Sequence, residues 1–389
     1  MLTSLACGSM AYGIYDFLDS KFQVSHDIAT LARLLPYAGL AKRLQTMHPV
    51  DVFNSAVTKF SSLPALISAE TGHLITYQQV DVLSNQVANW GLSKGMQRGD
   101  TVALFMSNRM EFIITWLGLS KIGITTAWIN FNIKSKGLIH CIRISKATTL
   151  IYGTELSDSI NLVSTDLLND GLTLLSMGTL NGPPNSTSIT PGAIDQTIIH
   201  ASQTKPDTKH RDGLLPSHPF CYIYTSGTTG LPKAVVIEIR KYASISGLGS
   251  VYMKPGIDRN YCVLPLFHSA GGMMGGAAFL AGVSMIIKNK FSASQFFEDC
   301  IKYDATVTQY IGELCRYLVA RKPSDADTKH NIRLAIGNGL RPDIWDEFQD
   351  RFQIPDILEF YGATEGTGST MNYCTTKEDR GAVGTCIVS

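Results

Sequence analysis

The chain has no excess of charge of either sign and none of the ligand spacings of a structural zinc site. Its 33 basic residues nearly balance 32 acidic residues over 389 positions, which excludes a nucleic-acid binder that works through bulk positive charge. Its eight cysteines include no C-x-x-C pair, and H-E-x-x-H is absent, so we expect no structural zinc. Cysteines scattered along so long a chain are typical of a reduced, intracellular protein whose core needs no disulfides.

Long uncharged runs are few, and neither of the two present is a good membrane span. Residues 1–18 carry no charge before Asp16, but they are shorter than the ~20 residues of a span and lack the basic start of a signal peptide. Residues 261–287 are uncharged but contain Pro265 and five glycines, which favours a buried strand, a turn and a small-residue helix. A small-helix membrane protein built on this run is the alternative. We predict that the hydrophobic segment 1–50 associates with membrane.

Helical and extended patterns alternate along the chain. Thr76 and Gln79 have the spacing of a capping box at the start of a helix. Residues 101–105 and 125–129 are short apolar runs that predict buried strands, and residues 110–122 between them predict an apolar helix. Strand, helix and strand in repetition predict an α/β fold with mostly parallel sheets covered by helices.

The composition changes between residues 176 and 219, where six of the 15 prolines fall. Proline removes a hydrogen-bond donor and fixes the backbone, so this stretch predicts a loop-rich connection or a domain boundary. We assign residues 51–389 to one domain that contains this connection. In its later part, Ser292 and Gln295 are predicted to cap a helix, and residues 357–361 are predicted to form the final strand.

The segment 220–233, FCYIYTSGTTGLPK, combines an apolar strand with a loop of glycine and hydroxyl residues that ends in lysine. Glycines let successive backbone N–H groups surround an anion, the hydroxyls add donors, and Lys233 adds a charge suited to phosphate. The Walker A pattern of kinases and GTPases is absent, and the run after Lys233, residues 234–237, is β-branched and extended. These residues predict a strand–loop–strand element that binds an anion.

Three segments in this order resemble motifs of the adenylate-forming superfamily, which contains acyl-CoA synthetases, luciferases and the adenylation domains of peptide synthetases. They are 224–233, YTSGTTGLPK, for the phosphates; 264–268, LPLFH, on the substrate side; and 360–365, FYGATE, for adenine and magnesium. Residues 290–294, KFSAS, and 337–342, GNGLRP, resemble more narrowly the fatty acid transport protein family of very-long-chain acyl-CoA synthetases. The resemblance implies the large N-terminal domain of such an enzyme.

The resemblance also implies a role for each matched residue. Lys233 and the loop before it would hold the leaving phosphates, while Thr364 would bond the α-phosphate. Glu365 would hold Mg²⁺, and His268 would lie beside the reacting carboxylate. These four are the candidate catalytic residues, and they suit a reaction that depends on charge stabilisation more than on a protein nucleophile. Tyr361 would stack on adenine. The candidate nucleotide-binding residues are Tyr222, Ile223, Tyr224, Thr225, Ser226, Gly227, Thr228, Thr229, Gly230, Leu231, Pro232, Lys233, Gly337, Asn338, Gly339, Tyr361 and Gly362.

The activity implied is that of a long-chain or very-long-chain fatty acid:CoA ligase linked to fatty acid uptake. In this chemistry a fatty acid and ATP give an acyl-adenylate, from which coenzyme A takes the acyl group. The implied cofactors and partners are ATP, Mg²⁺, coenzyme A and a long-chain fatty acid, with no nucleic acid. The implied location is a membrane, of the endoplasmic reticulum or the cell surface, with the catalytic domain facing the cytosol.

The sequence departs from the family pattern in two places. Residues 238–240, EIR, stand where many members carry a histidine. No counterpart is found for the T-G-D motif, whose aspartate binds the ribose, or for the hinge and the mobile C-terminal domain with its lysine. The resemblance therefore leads us to expect a fragment or short isoform without the lid domain, which alone would bind ATP weakly and turn over fatty acid poorly. The alternative is a catalytically incomplete short form that binds nucleotide or fatty acid without efficient turnover.

Overall fold

A computed structural model describes residues 39–40, 42–180, 193–225, 230–366, 368–374, 380 and 385–388. Most of the predicted segment 1–50 therefore lies outside the described residues. The strands are β1 (Pro64–Ser68), β2 (Leu74–Thr76), β3 (Thr101–Phe105), β4 (Thr125–Trp128), β5 (Thr149–Gly153), β6 (Thr173–Met177), β7 (Pro219–Thr225), β8 (Lys233–Glu238), β9 (Arg259–Cys262), β10 (Ser284–Ile287), β11 (Val307–Ile311), β12 (Leu334–Asn338), β13 (Asp356–Gly362), β14 (Gly368–Cys374) and β15 (Thr385–Val388).

The helices lie mostly between consecutive strands, as an α/β fold requires. They are α1 (Pro49–Phe60), α2 (Tyr77–Ser93), α3 (Met110–Lys121), α4 (Ser135–Ser145), α5 (Ser157–Asn161), α6 (Ser164–Asn169), α7 (Asp195–Ile199), α8 (Ile239–Tyr252), α9 (Gly276–Leu280), α10 (Phe296–Lys302), α11 (Gly312–Ala320) and α12 (Pro342–Phe352). A short π-helix, Ser269–Gly275, precedes α9.

The described strands form two sheets. The smaller sheet has the order β6-β5-β3-β4-β7-β8 and is parallel except for β8, which pairs antiparallel with β7. The larger sheet has the order β15-β14-β13-β12-β11-β9-β10-β1-β2, and its six central strands are parallel. Its antiparallel members, β2, β14 and β15, lie at the two edges. The predicted α/β fold with mostly parallel sheets is confirmed.

The helix α3 links the two sheets through the core. All twelve of its residues are buried, and it contacts β4 of the smaller sheet and β1 of the larger one. A helix that is apolar on every side is stable only when it is covered on every side. Trp116 of α3 packs against the rings of Trp128, Phe220 and Tyr242, so the smaller sheet and α8 are fixed to the same core.

Local sequence signals locate most of these elements correctly. The capping box at the start of α2 is present: Gln79 N donates to Thr76 Oγ1 over 3.2 Å, and Thr76 N donates to Gln79 Oε1 over 2.8 Å. The strands predicted at 101–105 and 125–129 are β3 and β4, and the apolar helix predicted at 110–122 is α3.

Two local predictions are wrong. Gln295, and not Ser292, is the N-cap residue of α10, and its side chain makes no capping bond; the Ser292 hydroxyl bonds that of Ser294. The strand predicted at 357–361 is not the last, because β14 and β15 extend the sheet antiparallel to it. Hairpin pairing is decided by contacts between strands, which a single apolar run does not encode.

The uncharged run at 261–287 is divided among several elements. It contains the end of β9, the π-helix, α9 and β10, so one continuous helix over this run is contradicted. Among the described residues, no helix combines the length and the apolar character required to cross a bilayer.

Asn108, which follows β3, joins the carboxyl ends of the two sheets. Its Nδ2 donates to the carbonyls of Leu264 and Lys288, over 3.0 and 3.2 Å, and its Oδ1 accepts from Leu266 N over 2.8 Å. The Asn108 side chain is buried, so water does not compete for these hydrogen bonds. The strand ends that follow β9 and β10 are thereby held against the smaller sheet.

Replacing Asn108 with alanine is expected to lower the free energy of unfolding by about 3 kcal/mol, because buried backbone groups would lose their partners at ~1–3 kcal/mol each. Urea denaturation of the purified chain measures the change. Asn161→Ala, at an exposed helix end, is the control and is expected to stay within about 0.5 kcal/mol of the wild type. Equal stability of the Asn108 variant and this control would contradict the bridging role.

Candidate functional site

The segments singled out in the sequence lie at carboxyl ends of parallel strands, the edge at which open α/β sheets bind ligands. The loop of glycine and hydroxyl residues follows β7, and His268 follows β9 in the larger sheet. Gly337 to Gly339 are at the end of β12, and Tyr361 to Glu365 are at the end of the neighbouring β13.

The glycine and hydroxyl loop connects two antiparallel strands, as predicted. Thr225, the last residue of β7, lies opposite Lys233, the first residue of β8. Ser226 to Thr229 lie outside the described residues. Gly230 has φ of +86°, which favours glycine, and the residue Lys233 is exposed to solvent. The hairpin thus presents a cation at its loop end, and no helix begins at Lys233.

The helix α4 packs against β7, the strand that leads into the loop, and hydrogen-bonds to it. Ile223 and Tyr224 are buried, and the Tyr224 hydroxyl donates to the Cys141 carbonyl of α4 over 2.7 Å. The ring of His140, also on α4, bonds the Pro232 carbonyl through Nε2 at 2.9 Å. The side chains of these two predicted residues of β7 therefore belong to the core, and only their main chain is available to a ligand.

His268 and Thr364 are brought together through one residue, Ser269. The Thr364 hydroxyl donates to Ser269 Oγ over 3.3 Å. The His268 Nδ1 accepts from Ala270 N over 3.3 Å and lies 3.4 Å from Ser269 Oγ. His268 is solvent-exposed, yet the surrounding loop removes enough water to lower the pKa of its ring. A neutral imidazole therefore lies beside the turn after β13.

The turn after β12 is packed so tightly against the start of α11 that only glycine fits. A Cβ on Gly312 would lie 1.6 Å from the Gly339 carbonyl oxygen, and a Cβ on Gly337 would lie 2.2 Å from the Tyr310 carbonyl oxygen. Gly339 itself has φ of +76°. The glycines predicted to line an adenine pocket thus have a structural requirement that is independent of any ligand.

A buried carboxylate, Glu359, holds the same turn. It accepts hydrogen bonds from Gly339 N over 2.5 Å, from Leu340 N over 3.2 Å and from the Tyr310 hydroxyl. Burial raises the pKa of Glu359, against the effect of these donors. The sequence analysis missed this residue, although a single acidic residue within the apolar run 357–361 was a visible signal.

The raised pKa of Glu359 gives a pH-dependent stability. Since the folded protein binds this proton more tightly than the unfolded chain, the contribution is fully present below the unfolded pKa near 4.5 and is lost as pH rises through the folded pKa. Glu359→Gln cannot titrate, so we expect a flatter dependence of unfolding free energy on pH between about 4 and 8. Urea denaturation over this range tests it, with the exposed Glu298→Gln as control. Parallel pH profiles of the wild type and Glu359→Gln would refute the expectation.

From the last two residues of β13 onward, the residues predicted to contact nucleotide and metal face solvent. Tyr361 exposes 67% of its surface, which is unusual for a tyrosine at the end of a strand and leaves one ring face available for stacking. Gly362 and Glu365 are also exposed. Among the described residues, no group of three or more His, Cys, Asp or Glu residues is arranged to hold a metal ion.

Lys241 reaches this turn from α8, and no sequence signal indicated it. Its Nζ donates to the carbonyls of Thr364 and Gly366, each over 2.7 Å. Because α8 directly follows β8, this contact connects the hairpin of the phosphate loop with the turn that carries Glu365.

Two cavities lie away from these residues. One, of about 290 Å³, is lined by His48, Asp51 and Arg211 among others. The other, of about 350 Å³, is a half-open apolar groove between α1 and α8 whose lining includes the cationic residues Arg43 and Lys59. Of the predicted site residues that the structure describes, none lines either cavity.

Comparison with known proteins identifies relatives along most of the chain. The family model described as "AMP-binding enzyme" matches residues 53–388. Long-chain fatty acid transport protein 1 of Mus musculus is 40% identical over 339 residues, which cover 86% of this chain and 50% of that protein. Long-chain fatty acid transport protein 6 of Homo sapiens is 37% identical over 362 residues, 92% of this chain and 56% of that protein. The chain spans about half the length of the curated relatives it matches.

Solved structures share the fold at low sequence identity. A long-chain-fatty-acid-CoA ligase of Archaeoglobus fulgidus matches with a TM-score of 0.73 and 18% identity, covering 87% of this chain and 68% of that one. The inhibitor-bound N-terminal domain of FACL13 from Mycobacterium tuberculosis matches with a TM-score of 0.72 and 21% identity, covering 87% and 81%. ATP-bound MatB of Rhodopseudomonas palustris has a TM-score of 0.70 and 23% identity, covering 87% and 64%.

Proposed function

Because the chain belongs to the AMP-binding enzyme family, we propose that it activates long-chain or very-long-chain fatty acids as acyl-adenylates, in a ligase linked to fatty acid uptake. The observation that carries the proposal is the hydrogen bond from Thr364 to Ser269, which joins the segment after β9 to the segment after β13 at one sheet edge. The similarity to long-chain fatty acid transport proteins at 37–40% identity supports the substrate class.

ATP would lie across the carboxyl ends of β7, β12 and β13. The main chain of the loop after β7, together with Lys233, would hold the β- and γ-phosphates by N–H donors and positive charge. The exposed ring of Tyr361 would stack on adenine, and the rigid turn at Gly337 to Gly339 would form the opposite wall. The hydrogen bonds to Glu359 keep this wall in place before the ligand arrives.

Mg²⁺ fits the chemistry of the residues present. Glu365 offers an exposed carboxylate, and magnesium is commonly bound by one or two carboxylates together with substrate phosphates and water. When bound, Mg²⁺ would neutralise phosphate charge. Coenzyme A would be the acceptor of the acyl group in the second half of the reaction.

The first half of the reaction needs a carboxylate oxygen to attack the α-phosphorus of ATP. The new bond joins the carboxylate oxygen to this phosphorus, and the bond from the phosphorus to the oxygen that bridges the α- and β-phosphates breaks, so that this oxygen leaves with pyrophosphate. His268 would lie beside the carboxylate, where a neutral ring can donate one hydrogen bond without neutralising the nucleophile. The Thr364 hydroxyl would turn from Ser269 to the α-phosphate and stabilise the charge that develops there. Such positioned donors are each worth about 10²–10³ in rate.

Fatty-acid-dependent exchange of labelled pyrophosphate into ATP tests the proposal on the full chain. We expect slow exchange with long-chain fatty acids, Mg²⁺ and ATP, and none when acetate replaces the fatty acid. ATP binding without exchange for any fatty acid would favour the alternative in which the chain binds ligand without turnover. Absence of both binding and exchange in a folded sample would overturn the proposal.

Association with a membrane of the endoplasmic reticulum or cell surface, with the site facing the cytosol, is also part of this proposal. The apolar groove with Arg43 and Lys59 supports it, because each basic residue near an anionic bilayer contributes about 1 kcal/mol. Arg43→Glu with Lys59→Glu is expected to weaken sedimentation with phosphatidylserine vesicles by about tenfold or more. The control pair Lys302→Glu and Lys322→Glu, exposed elsewhere, should lose much less. Equal losses in both pairs would indicate general charge attraction and contradict a role for the groove.

A further inference from the structure

We propose that Lys241 is a positioning residue that fixes the turn Thr364–Gly366 and thereby holds Glu365 for a divalent cation. This inference rests on the proposed function, in which Glu365 binds Mg²⁺. The observation behind it is the pair of hydrogen bonds from Lys241 Nζ to the carbonyls of Thr364 and Gly366, each 2.7 Å long. The two carbonyls flank Glu365, so the ammonium fastens the backbone on both sides of the carboxylate.

The turn has few other restraints. Gly366 N donates to Ala363 O over 3.0 Å, and the Thr364 hydroxyl bonds Ser269. Gly362 lies just before the turn and Gly366 is its last residue, and glycine allows a wide range of backbone conformations. Ala363 and Glu365 are exposed. The ammonium therefore supplies two charge-assisted bonds to a segment that little else holds.

The helix that carries Lys241 is rigidly held. The next residue, Tyr242, is fully buried, and its hydroxyl donates to the Gly272 carbonyl over 2.8 Å. Its ring contacts Trp116, Trp128 and Phe220. Because Tyr242 fixes the backbone next to Lys241, the Lys241 ammonium can define the position of the turn.

The charges around Lys241 agree with this role. Burial lowers the pKa of Lys241, while the carboxylates of Glu365 and Glu238 act in the opposite direction and favour the cation. The hydrogen bonds of the ammonium go to backbone carbonyls, which leaves the Glu365 carboxylate available to a metal ion. Outer residues of this kind orient the ligands of a metal, and their loss typically costs about 10–100-fold in metal affinity.

The test compares Lys241→Met, Lys241→Arg and the control Arg240→Met by the Mg²⁺ dependence of ATP binding to the full chain. Arg240 lies in the same helical turn but pairs with Glu238 at the surface. We expect Lys241→Met to need about 10–100-fold more Mg²⁺ for half-maximal ATP binding and to keep the affinity for ATP without Mg²⁺. Lys241→Arg should recover most of the loss, because arginine keeps the charge and the donors. Arg240→Met should resemble the wild type.

A second measurement separates positioning from metal binding. Hydrogen exchange of the segment 361–366, without nucleotide or metal, should be faster in Lys241→Met than in either the wild type or Arg240→Met. Wild-type exchange in Lys241→Met overturns the inference, as does an equal loss of ATP affinity with and without Mg²⁺, which would indicate direct phosphate binding. If the wild type itself binds no ATP, the proposed function fails, and hydrogen exchange alone then decides whether Lys241 fixes the turn.

Discussion

Lys233→Ala is expected to weaken ATP binding to the full chain by about 10- to 100-fold. A hydrogen bond to a charged group contributes ~1.5–3 kcal/mol, and each 1.4 kcal/mol is about tenfold in affinity. Lys233 is exposed at the loop end of the β7–β8 hairpin, so its removal leaves phosphate charge unmatched without disturbing the core. Isothermal titration calorimetry with Mg–ATP measures the change.

Lys254→Ala is the matched control, because this lysine is also exposed and follows the helix α8. At each salt concentration, Lys254→Ala should bind ATP with the same affinity as the wild type. The loss in Lys233→Ala should shrink as salt rises, since screening weakens the interaction between Lys233 and phosphate, which only the wild type makes. Equal ATP affinity of Lys233→Ala and Lys254→Ala would contradict a phosphate role for the loop.

Gly312→Ala is expected to have an equally large effect on nucleotide binding from a position that touches no ligand. Its Cβ would overlap the Gly339 carbonyl oxygen at 1.6 Å, so the turn after β12 must move away. The hydrogen bond from Gly339 to Glu359 would be strained or lost. We expect ATP affinity to fall by about tenfold or more, and the free energy of unfolding to fall by about 1–3 kcal/mol.

Titration calorimetry and urea denaturation of the same preparations measure these two quantities. Gly39→Ala is the control, because a Cβ at Gly39 meets no atom within 4 Å. A Gly312→Ala protein with the ATP affinity of the wild type would show that the position of the Gly339 turn is unimportant to the nucleotide.

The sequence was most informative where a local pattern alone determines the structure. The β7–β8 hairpin follows from two apolar runs on either side of a segment rich in glycine and hydroxyl residues. The cap of α2 follows from Thr76 and Gln79, whose side chains bond backbone groups three residues away. The α/β fold follows from the alternation of short apolar runs and helical periods, because each element must bury one apolar face.

Other features depend on contacts between distant residues, which local patterns do not encode. Lys241 reaches Thr364 across more than 120 positions in the chain, and nothing near Lys241 distinguishes it from a solvated lysine. Asn108 bridges to Leu264 in the same way. The strands β14 and β15 were missed because their pairing with β13 is a property of the sheet. Sequence motifs thus indicated segments that lie at the carboxyl ends of strands, but not the residues that hold these segments in place.

Titration of the full chain with a non-hydrolysable long-chain acyl-adenylate analogue, such as an acyl-sulfamoyl adenosine, tests the central claim most directly. The analogue joins the acyl chain and the adenosine group in one molecule. It should bind more tightly than ATP, because an enzyme site is most complementary to species near the transition state. We predict tight binding that excludes ATP and weakens when the acyl chain is shortened to acetyl. A folded chain that binds neither the analogue nor ATP, or that binds long-chain and acetyl analogues equally, would contradict the account.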